Sequence, residues 1–163
     1  MHTHVHSGAL FGIDALLVDV EVDILAGLPQ MTTAVDTSVL IAIAKGETGA
    51  RAWTDLLASA RGDGEVVVCD VVAAEFFALL LDEAAFQRSL GGLGVAFSPT
   101  SLESARLAGR IFRTYRSEGG PREHLVPDFL VGAHAQRQAD RIAAIDRGYL
   151  RRYFPRLRIL KPA

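Results

Sequence analysis

Four carboxylates stand where a charge is costly unless something compensates it. Asp36 lies in AVDTSVLIAIA, between a short apolar segment and a longer one. Glu75 is the only charged residue in VVAAEFFALLL (residues 71–81) and has no cation within four positions. Asp128 follows Pro127 and precedes FLVGA, and Asp146 closes RIAAID. Acids of this kind brought within a few ångströms cannot all stay ionised unaided: some protonate, or cations neutralise them. An all-oxygen donor set suits a hard divalent ion, Mg²⁺ or Mn²⁺. Such an ion binds phosphate oxygens and activates water, which points to phosphoryl transfer with water as the nucleophile.

Taken singly, three of the four have ordinary structural explanations. Asp36 before Thr37-Ser38 reads as a helix N-cap. Asp128 behind a proline reads as a first-turn acid favoured by the helix dipole, and Asp146 before Arg147-Gly148 is common turn composition. Glu75 resists this, because it stands three apolar residues inside an apparent helix that we expect to be buried. The four acids in this order make the structural explanation much weaker.

The elements that must position them alternate short β-like and longer helix-like segments. TAVD (33–36), EVVVCD (65–70), VAF (95–97), RIAAID (141–146) and LRIL (157–160) read as strands rich in β-branched residues. Helices are expected over TSVLIAIAKG, closed by Gly46, and over 48–61, the VVAAEFFALLL segment and about 83–90. The Gly-Gly-Leu-Gly run then punctuates the chain, and further helices are expected over 101–117, 127–139 and YLRRYF. Strands separated by helices imply an α/β sandwich with a mainly parallel central sheet. In open sheets of that class, strand ends and the helix starts beyond them converge on one crevice, so the four acids could meet there.

Residues 1–31 read differently. LLVDVEVDI alternates apolar and acidic residues in the manner of a half-exposed strand and is followed by the turn signal Gly27-Leu28-Pro29. The run resembles the extreme N-terminus of magnesium-chelatase-like competence ATPases. No GxxxxGK[ST] phosphate loop follows. The expected organisation is therefore an N-terminal extension at 1–31, a fusion remnant or misassigned start, and one domain at 32–163.

The 163 residues suffice for one domain with a sizeable core. The single cysteine, Cys69, rules out an internal disulfide framework and fits a reducing cytoplasm. We expect Cys69 to be a small core residue, and Trp53 to be core or interface. No apolar run approaches a membrane span. Charge is segregated: residues 1–100 carry 4 Lys/Arg and 13 Asp/Glu, and residues 101–163 carry 13 and 6. That asymmetry fits an anionic partner or two solvated faces equally well. On helix 101–117 the arginines Arg106, Arg110, Arg113 and Arg116 share one side, with Leu102, Ala105, Phe112 and Tyr115 on the other. Arg147, Arg151 and Arg152 follow Asp146 closely and are the better candidates for substrate contact. His134 lies about 240° round the helix from Asp128 and is not expected to be a ligand. His2, His4 and His6 alternate like a metal tract but are read as incidental.

From about Thr32 onward the chain resembles the PIN-domain nucleases, and within them the VapC-type ribonuclease toxins of toxin–antitoxin pairs. The matching pieces are VDTSVLIAI (35–43), VVAAEFFALL (71–80), VPDFLVGAHAQRQADRIAAID (126–146) and RGYLRRYFPRLRIL (147–160). The resemblance implies a PIN-like three-layer sandwich and a Mg²⁺ or Mn²⁺ site of Asp36, Glu75, Asp128 and Asp146, with Ser38 supporting Asp36. It also implies an RNA substrate, a cognate antitoxin protein and a homodimer. One departure is Ala144, where the family often has a threonine two residues before the last acid. Two other readings stand beside this one: a catalytically silent PIN fold that serves as a scaffold, and a Mg²⁺-binding receiver module. The receiver would need paired acids on the first strand, which are missing, and a lysine near the end, where Lys161 sits in the tail.

Overall fold

The computed structural model describes residues 30–121, 125–146 and 148–162, together with the backbone of residues 2–11 and 14–23. Strands β1 (His2–Phe11) and β2 (Asp14–Asp23) pair antiparallel in a two-stranded sheet of their own, from His2↔Asp23 to Phe11↔Asp14. The predicted LLVDVEVDI strand falls within β2. Its expected alternation of exposure, and the side chains of His2, His4 and His6, lie outside the described residues.

The second sheet has five strands: β3 (Thr33–Val35), β4 (Val66–Val68), β5 (Val95–Phe97), β6 (Arg141–Ala143) and β7 (Arg158–Leu160). Their order is β5-β4-β3-β6-β7, and every pairing is parallel, where a mainly parallel sheet was expected. Between them run α1 (Thr37–Ala44), α2 (Ala50–Asp63), α3 (Asp70–Leu80), α4 (Glu83–Leu93), α5 (Leu102–Ser117), α6 (Val126–Gln138) and α7 (Tyr149–Tyr153). The chain walks from β3 through β4 to the β5 edge, then returns to the other side of β3. Right-handed crossovers therefore carry α1–α4 over one face and α5–α6 over the other. The order reverses between β3 and β6, and that switch point is where such sheets leave a crevice at their carboxyl ends.

The three central strands, β3, β4 and β6, are buried because they are covered on both faces, while the edge strands β5 and β7 are partly exposed. Ala34, Val35, Val66, Val67, Val68, Ile142 and Ala143 are all buried, and Phe76, Phe129, Phe154, Leu40 and Leu57 pack around them. Cys69 and Trp53 are core residues, as expected. At the amino end of the sheet, buried Arg141 donates to Thr33 Oγ1 (2.8 Å) and to Asp63 Oδ2 (2.7 Å), which compensates its charge.

Several expectations need correction. Strand pairing stops earlier than the composition suggests: β3 ends at Val35, β4 at Val68 and β6 at Ala143. The β6–β7 ladder closes at Ala143↔Leu160, and the Ala143 carbonyl accepts the Asp36 amide (2.9 Å), so the chain beyond is free to turn. Helix α4 runs through Gly91 and Gly92, and only Gly94, at φ 63°, caps it in the left-handed conformation. Helix α3 is not buried all round: it buries Val72 and Phe76, four residues apart, while Glu75, Phe77 and Leu79 are exposed. On α5 the buried stripe is Ser104, Leu107, Ala108 and Tyr115, and Leu102, expected inward, is 66% exposed.

Candidate metal and nuclease site

The site is built at the carboxyl ends of β3 and β6. Asp36 is the residue that leaves β3 and caps α1. Its Oδ1 accepts the Ser38 amide (2.9 Å) and the Ser38 hydroxyl. That hydroxyl also accepts the Ile145 amide (3.2 Å), so Ser38 links the end of β3 to the segment after β6. Asp146 lies three residues beyond β6. Its Oδ1 accepts the amides of Gly148 (2.9 Å) and Leu150 (3.1 Å), which turns the chain into α7. Asp128 is the third residue of α6, where its carboxylate accepts the Leu125 amide (2.7 Å). Glu75 is one turn into α3 and accepts the Thr37 hydroxyl. Three of the four carboxylates thus do the ordinary capping and turn work open to them, and that work aims them at the crevice.

Their mutual influence shows in two groups. Burial pushes the Asp36 carboxyl above its ordinary value; the Ser38 bonds pull it back, and the charges of Asp128 and Asp146 push it further up. Burial likewise raises the Tyr149 phenol, and the charges of Asp36, Asp128, Asp146 and Glu75 all add to that rise. The Tyr149 hydroxyl is therefore within electrostatic reach of all four acids. Reasoning from sequence missed Tyr149 and Thr37. The signals were present: Thr37 places a hydroxyl directly after the first acid, and Tyr149 follows Gly148, whose φ of 116° starts α7.

The donor set can be tested for its fit to a hard cation. Asp146 Oδ2 is buried and takes no hydrogen bond from a described residue, and its nearest described cation is Arg151 Nε at 3.8 Å. The side chain of Asp146 is 1% exposed, so water does not reach that oxygen. A buried carboxylate oxygen without a described donor, in a group whose charge bears on the Asp36 carboxyl, is chemistry that an oxygen-loving cation resolves. The residues fit such an ion. Among the described residues, no three His, Cys, Asp or Glu side chains stand close enough to grip one ion together.

The expected arginines separate. Arg151 pairs with Asp146, whereas Arg152 pairs with Glu118 (3.1 Å) and is 67% exposed. Arg147 lies outside the described residues. His134 is buried against Ser98 Oγ (3.2 Å). Lys161 Nζ donates to the main-chain carbonyl of Asp146 (3.3 Å), not to a carboxylate.

Comparison with known proteins bears on the fold. No curated protein matches the chain in sequence. Three solved structures are similar at 14–20% identity. VapBC2 from Rickettsia felis, bound to a DNA fragment from its promoter, shares 14% identity at a TM-score of 0.63, covering 82% of this chain and 100% of that one. FitAcB from Neisseria gonorrhoeae shares 20% identity at a TM-score of 0.55, and DNA-bound VapBC from Salmonella typhimurium 16% at 0.53. Each of these two covers 80% of this chain and 97% of its own. The PIN domain profile matches residues 33–155, a span that holds all four acids and all five parallel strands but the last. The chain belongs to the PIN-domain family.

Proposed function

We propose that this chain is a Mg²⁺- or Mn²⁺-dependent endoribonuclease that hydrolyses RNA phosphodiester bonds and acts as the toxin of a toxin–antitoxin pair. What supports the reading is that the charges of Asp36, Glu75, Asp128 and Asp146 all bear on the Tyr149 phenol beside the sheet's switch point. Asp36, Glu75, Asp128 and Asp146 would hold the cation. A divalent ion bound there supplies Lewis-acid activation of water and offsets charge on the phosphate. Ser38 orients Asp36, Thr37 orients Glu75, and Arg147 and Arg151 offer positive charge for the RNA backbone, whereas Arg152 is already paired with Glu118.

The proposed partners are a cognate antitoxin and a second copy of the chain. The similarity to VapBC structures supports the first. Residues 1–31 are proposed to be an appended extension that the nuclease domain, 32–163, does not need. No described helix is long and apolar enough to cross a membrane, and we place the protein in the cytoplasm. One observation favours a silent scaffold instead: among the described residues, no three acids stand within reach of one ion. The two readings part in one experiment. The purified chain is incubated with single-stranded RNA in Mn²⁺ and in EDTA, and its melting temperature is followed in both. The nuclease reading expects cleavage in Mn²⁺ only, together with a rise in melting temperature, because a cation that binds only the folded state stabilises it. Cleavage fully retained in EDTA refutes the metal mechanism. A melting temperature indifferent to Mn²⁺, with no cleavage, supports the scaffold.

A further inference from the structure

A groove of about 400 Å³ runs beside the acids, between the end of α5 and α7. It shares a wall with the acid site: Gly148, whose amide donates to Asp146, and Tyr149, whose hydroxyl feels all four acids, both line it. The rest of its lining is aromatic and polar in a particular arrangement. Tyr115 meets Tyr153 edge-on with ring centroids 5.4 Å apart. The Arg152 guanidinium lies over the Tyr153 ring at 5.2 Å. Glu118 Oε2 accepts from Arg152 Nη2 (3.1 Å) and from the Tyr153 hydroxyl (3.2 Å). Its other oxygen takes no hydrogen bond from a described residue. The function proposed above uses none of Tyr115, Tyr153 and Glu118.

The chemistry of this wall selects its occupant. A lone phosphate is disfavoured, since Glu118 already neutralises Arg152 and would repel an anion. A planar π surface with a guanidinium laid over it favours a stacked ring. At neutral pH a carboxylate only accepts hydrogen bonds, so the edge presented to Glu118 must donate. Guanine carries two adjacent donors, N1–H and N2–H₂, while the other bases offer fewer on one edge. We propose that this groove holds an unpaired guanine of the RNA strand beside the cleaved phosphodiester, stacked against Tyr153 and Arg152, with Glu118 reading its donor edge. This rests on the ribonuclease reading of the acids, and it makes Glu118 a specificity determinant.

The test separates base recognition from hydrolysis. The full chain, in EDTA, is titrated with guanosine, adenosine, cytidine and uridine while the tyrosine ring signals are followed by NMR. Guanosine is expected to saturate shifts at Tyr149 and Tyr153 and to bind at least ~10-fold tighter than the other three, the scale of a base-edge contact to the open Glu118 oxygen. Glu118→Gln, an isosteric change at an exposed side chain, should remove most of that preference. Tyr153→Leu should instead weaken all four by about 10-fold, the scale of one lost stacking partner. Equal binding of the four nucleosides, no saturable shift with guanosine, or a preference unchanged in Glu118→Gln overturns the proposal. A Mn²⁺ digest of randomised RNA then tests the acids by themselves. Guanosine binding without any cleavage sinks the hydrolysis reading and leaves the guanine groove standing. Cleavage whose ends show no guanine bias refutes the groove's role in substrate choice.

Discussion

Replacing Asp36 with Asn asks whether this carboxylate is a ligand or only a cap. The cap itself should survive, because Asn is as good an N-cap as Asp and its side-chain oxygen can keep the 2.9 Å bond from the Ser38 amide. Asp36→Ala loses that bond, at about 1 kcal/mol, or roughly 2–4 °C in melting temperature for a chain of this size. The charge acts in the opposite direction. Burial, with Asp128 and Asp146 adding to it, raises the folded pKa of Asp36 above its unfolded value. Stability linked to this group is therefore fully present below the unfolded carboxyl range and is lost as pH rises through the raised value. At pH 7.5 without metal, Asp36→Asn should melt at or above the unmodified chain, and that advantage should vanish toward pH 4. In Mn²⁺ the order should reverse, since a strong hard ligand is gone. RNA cleavage should fall by ~100-fold or more, beyond the loss typical of merely orienting residues around a metal. The assays are thermal melting at several pH values with and without Mn²⁺, and cleavage of a labelled RNA. Near-normal cleavage by Asp36→Asn would show that the carboxylate is only a cap. A melting temperature several degrees below the unmodified chain, without metal, would refute the repulsion argument.

Other perturbations test the frame around the site. Gly132 in α6 has its would-be Cβ 2.4 Å from the fully buried Phe154 ring. Gly132→Ala, normally a gain of up to about 1 kcal/mol in a helix, should here destabilise by ~1–3 kcal/mol through overpacking, as read by urea denaturation. Burial lowers the His134 pKa, so folding favours its neutral form; stability from this residue is present above the unfolded value near 6.5 and is lost as pH falls below it. His134→Gln should therefore lose less stability than the unmodified chain between pH 7 and pH 5, measured by denaturant midpoints at each pH. A chain beginning at Met31 should fold and cleave RNA, because the Met31 and Thr32 amides bond to Asp63 O (3.0 Å) and Asp140 Oδ2 (2.7 Å) within the remaining chain; an insoluble or inactive truncation would show that residues 1–30 belong to the fold.

The sequence by itself determined the class of the fold and the identity of the unusual acids. A β-branched run such as VVV favours a buried strand, and helical periodicity between such runs demands crossovers, so parallel pairing follows from the pattern. Where pairing stops did not follow. The ends of β3, β4 and β6 depend on which neighbour's carbonyl is left over, as when Ala143 accepts the Asp36 amide, and that is a property of the assembled sheet. Glu75 was singled out for being a charge in an apolar helix, but the packing of α3 leaves it exposed with only Val72 and Phe76 turned inward. Composition counts apolar residues and cannot tell which face of α3 its neighbours cover. Tyr149 and Thr37 were not singled out as site residues because a hydroxyl after an acid and a tyrosine after a glycine are common in any chain. Only the return of the chain from the β5 edge to the far side of β3 brings α7 beside α1, and thereby sets one phenol within reach of four carboxylates that are 110 residues apart from first to last.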